Sequence, residues 1–180
     1  MKNFLIPSKT FILGEYSTLF QGPALVAALK PYFEVEFQKS EVPQTNPFHE
    51  KSPAGLFYQK NFEQLSQWKL EFKDPYKGGG GFGASTAQFL SLYYFQNPKI
   101  EPFQMLSEYR EICQVNQGVL PSGADLMTQF QGGLTYFNSE MKHLQKLDWK
   151  FRNLNIHFLP KIAFLYCICK SIESQWCTAV

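Results

Sequence analysis

The chain has 180 residues, 44% of them apolar and 18% charged, with a net charge of +2. That is enough length and apolar surface for one folded domain with a core, and it excludes a disordered chain. The near-neutral balance, without a Lys/Arg block, gives no electrostatic ground for nucleic-acid binding.

Residues 3–13, "NFLIPSKTFIL", read as a first strand interrupted at Pro7-Ser8. Turns follow at Gly14 and at Gln21-Gly22-Pro23, then a small-residue apolar stretch. "PYFEVEFQK" sets Phe33, Val35 and Phe37 in alternation with Glu34, Glu36 and Gln38, the pattern of a half-solvated strand. Residues 41–53 are loop-like, with three prolines. "GLFYQKNFEQLSQW" reads as a short strand followed by a helix, and "KLEFKD" as another strand ending at Asp74-Pro75. A glycine run then leads into a helix over residues 84–95, closed by Asn97-Pro98. Phe103, Leu106, Tyr109, Arg110 and Cys113 fall at helical spacings and predict a second helix. "NQGVLPSGADLMTQFQGG" starts as a loop, turns helical near Ala124 and stops at Gly132-Gly133. "LTYFNS" and "NLNIHFLP" are strand candidates. Helices and strands mix without strict alternation, which predicts an α+β or α/β sandwich.

No apolar run approaches the roughly 20 residues that span a membrane, and no signal peptide is evident, so membrane partners are not expected and the compartment is expected to be cytoplasmic. Three of the four cysteines, Cys167, Cys169 and Cys177, crowd the last residues, unlike a distributed disulfide framework. They lack the partners a zinc site needs and read, with Cys113, as free thiols. His49, His143 and His157 have no triad partners at recognisable spacings.

The chemistry concentrates in "YKGGGGFGASTAQ". Glycine tolerates positive φ and lets the backbone approach a ligand closely. Before a helix, such a loop aims several N–H groups at one point, where the helix dipole adds positive charge, and that suits a phosphate. Gly79, Gly80, Gly81 and Gly83 are the candidate phosphate-binding residues, with Ser85 and Thr86 adding hydroxyls for a phosphate oxygen or Mg²⁺. The Walker pattern is absent, since Gly83 precedes Ala84. Gly78, Gly80 and Gly83 match a dinucleotide-binding spacing, yet the acidic residue about 20 positions on, near Glu101, follows a helix and a proline rather than a strand.

Two further stretches accompany the glycine run: Pro7-Ser8-Lys9 with Gly14-Glu15-Tyr16 and Gly22-Pro23-Ala24-Leu25, and Pro121-Ser122-Gly123-Ala124-Asp125 with Gly132-Gly133. In this order, over roughly residues 5–140, they resemble the three motifs of the GHMP kinase superfamily, which takes in galacto-, homoserine, mevalonate and phosphomevalonate kinases. Gly81-Phe82-Gly83-Ala84-Ser85-Thr86 stands where that family has Gly-Leu-Gly-Ser-Ser-Ala, so Ala84 replaces one hydroxyl.

The resemblance implies an α+β fold like the N-terminal domain of GHMP kinases (ribosomal protein S5 domain 2-like), a sandwich of a mixed sheet and helices. It implies an ATP-dependent kinase of the isoprenoid precursor pathway, acting on mevalonate or phosphomevalonate with ATP and Mg²⁺. Tyr16 and Gln117-Gly118 lean toward phosphomevalonate kinases, and Pro121-Ser122-Gly123 toward mevalonate kinases. Asp125 takes the role of accepting or orienting the acceptor's proton, and Lys9 that of stabilising developing charge. Asp125 also fits a plain helix N-cap, and Lys9 a solvated strand residue. Glu15, Tyr16, Ser122 and Gly123 are implied at the substrate. Ser85 and an upstream Glu are implied at the metal; Glu111 is the first choice, Glu108 the second, and Gln114 sits nearest the expected spacing.

The resemblance places the domain over residues 1–160. Residues 161–180 depart from it in composition and read as an atypical, frameshifted tail, with the family's C-terminal domain missing. On that reading the alternative is a non-catalytic remnant or nucleotide-binding fragment, and exposed apolar segments would favour a homodimer.

Overall fold

Two long strands set the frame. β1 (Lys2–Leu13) and β2 (Pro23–Lys39) pair antiparallel along nearly their whole length, joined through a 3-10 turn at Ser17–Phe20. The computed structural model describes residues 1–117 and 120–147, within one unit, Met1–Leu147. The strand expected over residues 153–160, the boundary at 160, the tail with its three cysteines and His157 all lie outside the described residues.

Proline breaks the β1–β2 ladder near its middle. Ile6 pairs with Phe33 but Ser8 pairs with Leu29, so two steps on β1 oppose four on β2, around Pro7 and Pro31. Proline has no N–H to give a ladder, and bulges collect at such points. The bulge switches the side-chain parity of both strands. Before it, Phe4 and Ile6 of β1 pair with Val35 and Phe33; after it, Lys9 and Phe11 pair with Ala28 and Val26. Without the switch, period-2 alternation would leave Lys9 on the opposite face from Ile6.

The far edge of β2 is shared. β4 (Leu134–Asn138) pairs with its first residues and β3 (Trp68–Lys73) with its last, while β5 (His143–Leu147) pairs with β4. Every described pairing is antiparallel, so the sheet is not mixed among the described residues.

Helices cover one face of this sheet. α3 (Ala84–Gln96) and α5 (Ala124–Gln131) contact its strands, α1 (Pro53–Lys60) packs on α3, and α4 (Pro102–Gln117) packs on α1 and α5. A short helix, α2 (Phe62–Leu65), follows α1. Ile6, Val26, Phe33, Val35 and Phe37 of the sheet are buried with Phe89, Leu90, Leu92, Leu126 and Met127 of the helices. Leu5, Leu29 and Tyr32 remain exposed. The α+β architecture expected from the sequence is present, with two local corrections. "GLFYQK" is helix rather than strand, because Ser52 accepts a hydrogen bond from Gly55 N at 3.0 Å and Pro53 takes the first helical position. β5 was not expected at all; its polar "HLQKL" becomes a strand by pairing with β4.

Candidate functional site

Lys9 and Asp125, 116 residues apart in sequence, meet in an ion pair of 3.0 Å between Nζ and Oδ2. The Lys9 side chain is 8% exposed and that of Asp125 32%, so the lysine head is held inside while the carboxylate keeps contact with solvent. The Lys9 ammonium also lies 4.7 Å from the centre of the Phe11 ring, a cation–π contact. Both residues line a cavity of about 200 Å³ with Glu15, Thr18, Leu19, Thr86, Tyr109, Ser122 and Gly123 among its walls.

Asp125 is positioned by the Pro-Ser-Gly turn before α5. Gly123, not Asp125, is the helix N-cap, with φ +78, so Asp125 falls in the first helical turn and is free of capping duty. A side chain at Gly123 would overlap Leu106 Cδ1, so the turn needs glycine both for its φ and for close packing on α4. Arg110 of α4 braces the same turn. Its Nε donates to Pro121 O at 3.1 Å, and its Nη2 to Ser122 O at 2.7 Å and Ser139 Oγ at 2.6 Å. Burial lowers the Arg110 pKa, though a guanidinium starts so high that it stays charged. Tyr109, one residue earlier, lines the cavity; burial raises its pKa, with Cys113 and Asp125 adding, so it faces the site as a neutral phenol.

The glycine run approaches the pair from β1. Lys9 N donates to Phe82 O at 3.0 Å. Phe82 stacks on Tyr76 with ring centres 4.1 Å apart and planes 10° from parallel, and the Tyr76 hydroxyl meets Ser8 Oγ at 2.7 Å. Asp74 closes the start of the loop by accepting from Tyr76 N at 2.8 Å and Gly78 N at 2.9 Å. Gly83 is the N-cap of α3 at φ +87, and no side chain caps that helix. Its first-turn N–H groups at Ala84, Ser85 and Thr86 therefore lack the partners that a capping residue provides, which is the chemistry an anion satisfies.

The other expected residues divide. Ser122, Gly123, Glu15 and Thr86 line the cavity. The Thr86 hydroxyl, expected at phosphate or metal, instead contacts Gly83 O at 3.0 Å and Gln129 Oε1 at 2.5 Å, because it is buried under the loop. Ser85 is exposed on the first turn of α3, and Gly79, Gly80 and Gly81 form an exposed run ahead of it. Tyr16 is exposed and is not among the cavity residues. Glu111 is exposed on α4 and does not line the cavity; Glu108 is bonded by the Tyr93 hydroxyl at 3.2 Å. The acidic side chains at the cavity are Glu15 and Asp125, so the metal role expected of Glu111 has no support in its placement. Among the described residues no group of three or more His, Cys, Asp or Glu is arranged to hold a metal. Mg²⁺ does not need one, since it commonly binds through one or two carboxylates together with substrate phosphates. Sequence reasoning missed Gln129, Arg110 as a brace, Tyr109 and the Tyr76–Phe82 stack.

Comparison with known proteins finds no matching family model and no matching curated sequence. Solved structures do match. A Methanococcus jannaschii mevalonate kinase superposes with TM-score 0.59 at 15% identity, over 83% of this chain and 56% of that one. A Streptococcus pneumoniae phosphomevalonate kinase gives 0.59 at 19%, over 77% and 48%. A Cytophaga hutchinsonii homoserine kinase gives 0.54 at 17%, over 81% and 51%. The fold is that of the GHMP kinases. The chain spans about half the length of the GHMP kinase structures it matches. At these identities the likeness concerns the fold.

Proposed function

We propose that this chain belongs to the GHMP kinase superfamily and carries the phosphate loop and catalytic pair of an ATP-dependent small-molecule kinase. The observation that carries the reading is the Lys9–Asp125 ion pair, in a cavity that Thr86 from the first turn of the uncapped helix α3 also lines. Phosphoryl transfer asks for little covalent help from a protein. It needs an oriented nucleophile and compensation of charge on the transferring group.

In this reading the backbone N–H groups at Gly83 to Thr86 hold phosphate oxygens, and the Ser85 hydroxyl adds a contact there or at Mg²⁺. The ion supplies charge neutralisation on the phosphates. The acceptor's hydroxyl lies against Asp125 and gives its proton to that carboxylate as its oxygen forms a bond to the γ-phosphorus. The bond from that phosphorus to the bridging oxygen breaks, and its electron pair leaves with ADP. Lys9 orients the carboxylate and offsets negative charge. Glu15, Ser122 and Gly123 form the acceptor side of the cavity.

The acceptor class is mevalonate or phosphomevalonate. Support comes from the Pro121-Ser122-Gly123-Ala124-Asp125 motif and from the mevalonate and phosphomevalonate kinases that stand beside a homoserine kinase among the structural neighbours, one of them described in complex with phosphomevalonate and AMPPNP. A second reading, nucleotide binding without turnover, is favoured by the exposure of Gly78–Gly81, which leaves phosphates in water where electrostatic contacts are weak. The test is ATP-dependent phosphorylation of both acceptors by the purified chain. Transfer abolished by Asp125→Asn, with AMPPNP binding retained, supports the kinase. Binding without transfer supports the second reading, and no nucleotide binding at all sinks both.

A further inference from the structure

We propose that Gln129 is the positioning residue that sets the phosphate loop against Lys9 and Asp125. The inference rests on the kinase reading for its catalytic meaning, but its geometry stands apart from it.

Gln129 is 2% exposed. It lies on α5 one turn after Asp125, a spacing that puts the two side chains on the same helix face. Its Nε2 donates to Pro7 O at 2.8 Å and to Gly83 O at 3.0 Å, while its Oε1 receives the Thr86 hydroxyl at 2.5 Å. One planar amide thus ties α5 to β1, to the end of the glycine loop and to the first turn of α3. These are the elements that deliver Asp125, Lys9 and the proposed phosphate site. Both amide hydrogens are used, and each goes to a backbone carbonyl, so the bonds fix main chain rather than movable side chains.

The surroundings fit a device for position better than a filler of space. A buried amide costs free energy unless its hydrogen bonds are made, and an apolar side chain would fill the site without that demand. The loop is shaped to the amide: a Cβ on Gly83 would stand 2.8 Å from Gln129 Nε2 and 3.0 Å from Lys9 Cγ. Behind Gln129 lies a second cavity of about 330 Å³, lined also by Pro7, Tyr94, Phe130, Gly132 and Gly133. Gln129 and Pro7, two of the groups this link joins, both line that space, so they face room to shift once the link is cut.

The test compares the full chain with Gln129→Met, which keeps length and loses all three bonds, and Thr86→Val, which cuts the α3 arm and the Thr86 hydroxyl's own contact to Gly83 O while leaving both amide N–H bonds of Gln129. Hydrogen exchange of peptides covering residues 79–87 is read against exchange in β2 and β4, and AMPPNP affinity is measured by calorimetry. The proposal expects at least tenfold faster exchange confined to residues 79–87 in Gln129→Met, a smaller increase in Thr86→Val, and weaker AMPPNP binding, about tenfold for Gln129→Met. Unchanged exchange in that segment, or faster exchange spread evenly over the sheet, overturns it and leaves Gln129 a packing residue. If Gln129→Met does not fold, Thr86→Val decides by the same exchange pattern. A wild-type chain that transfers no phosphate defeats the kinase reading, while the exchange result still rules on Gln129.

Discussion

The Lys9–Asp125 pair predicts an unequal response to losing either partner. At 3.0 Å and an effective dielectric near 20, the gross attraction is about 5.5 kcal/mol. Desolvation offsets much of this, and more of that cost falls on Lys9, whose side chain is 8% exposed against 32% for Asp125. Asp125→Ala strands a buried ammonium that keeps its contact with the Phe11 ring but loses its ion-pair partner, and the cost should approach the roughly 3 kcal/mol typical of breaking a buried pair. Lys9→Met keeps the apolar stem packed and leaves a carboxylate that water can reach, so it should cost about 1 kcal/mol. The double variant should cost less than the two single changes together, with a coupling of about 2 kcal/mol. Urea unfolding of the four proteins measures this through midpoints at constant slope. Equal losses from the two single changes, or a coupling below about 0.5 kcal/mol, would refute the claim that the lysine head is held inside by the aspartate.

Gly83→Ala should lose about 1–2 kcal/mol from backbone strain alone, since its φ is +87, and should weaken AMPPNP binding because the new methyl crowds Gln129 and Lys9; urea unfolding and calorimetry check both. Arg110→Met leaves the carbonyls of Pro121 and Ser122 without their charged donor and should cost about 2 kcal/mol, with faster hydrogen exchange over residues 121–125 as the local readout. Burial pushes the Tyr94 phenol up to about 12, and burial with Glu108 nearby does the same to Tyr93. The unfolded chain therefore ionises first on the alkaline side, so stability should hold below pH 10 and fall as pH rises from about 10 to about 12. Tyr94→Phe should flatten that fall in circular-dichroism melts across the range.

What was legible in the sequence was local. Alternation in "PYFEVEFQK" marks the second half of β2, the glycine run before small residues marks the start of α3, and the Ser-Gly turn before Asp125 marks the start of α5. Each signal lies within a few residues of the feature it predicts, so one pattern suffices to read it. The misses are of another kind. "GLFYQK" is apolar enough for a strand, and only the Ser52-Pro53 cap, one step outside the apolar run, decides for helix. "HLQKL" has little apolar character and becomes a strand because β4 lies beside it. Glu111 is only the nearest acidic candidate, since Gln114 sits nearest the expected spacing, and α4 turns Arg110 to the Pro-Ser-Gly turn and leaves Glu111 exposed.

The harder case is the site itself. Lys9 stands out in sequence only through its motif; the strand alternation that makes Ile6 inward would send it to the opposite face. The β1–β2 bulge at Pro7 and Pro31 reverses that parity, and a bulge is a property of two strands together. Gln129 is less legible still, since its amide partners are Pro7, 122 residues away, and Gly83, 46 residues away. The first glutamine of "MTQFQ" looks like any polar helix residue until those carbonyls are placed around it. The two prolines that break the ladder and the amide that bonds Pro7 act on the same point of β1. One turns Lys9 inward and the other ties the glycine loop to the same strand, so the geometry of the pair depends also on Pro31 and Gln129, which lie outside the three motifs.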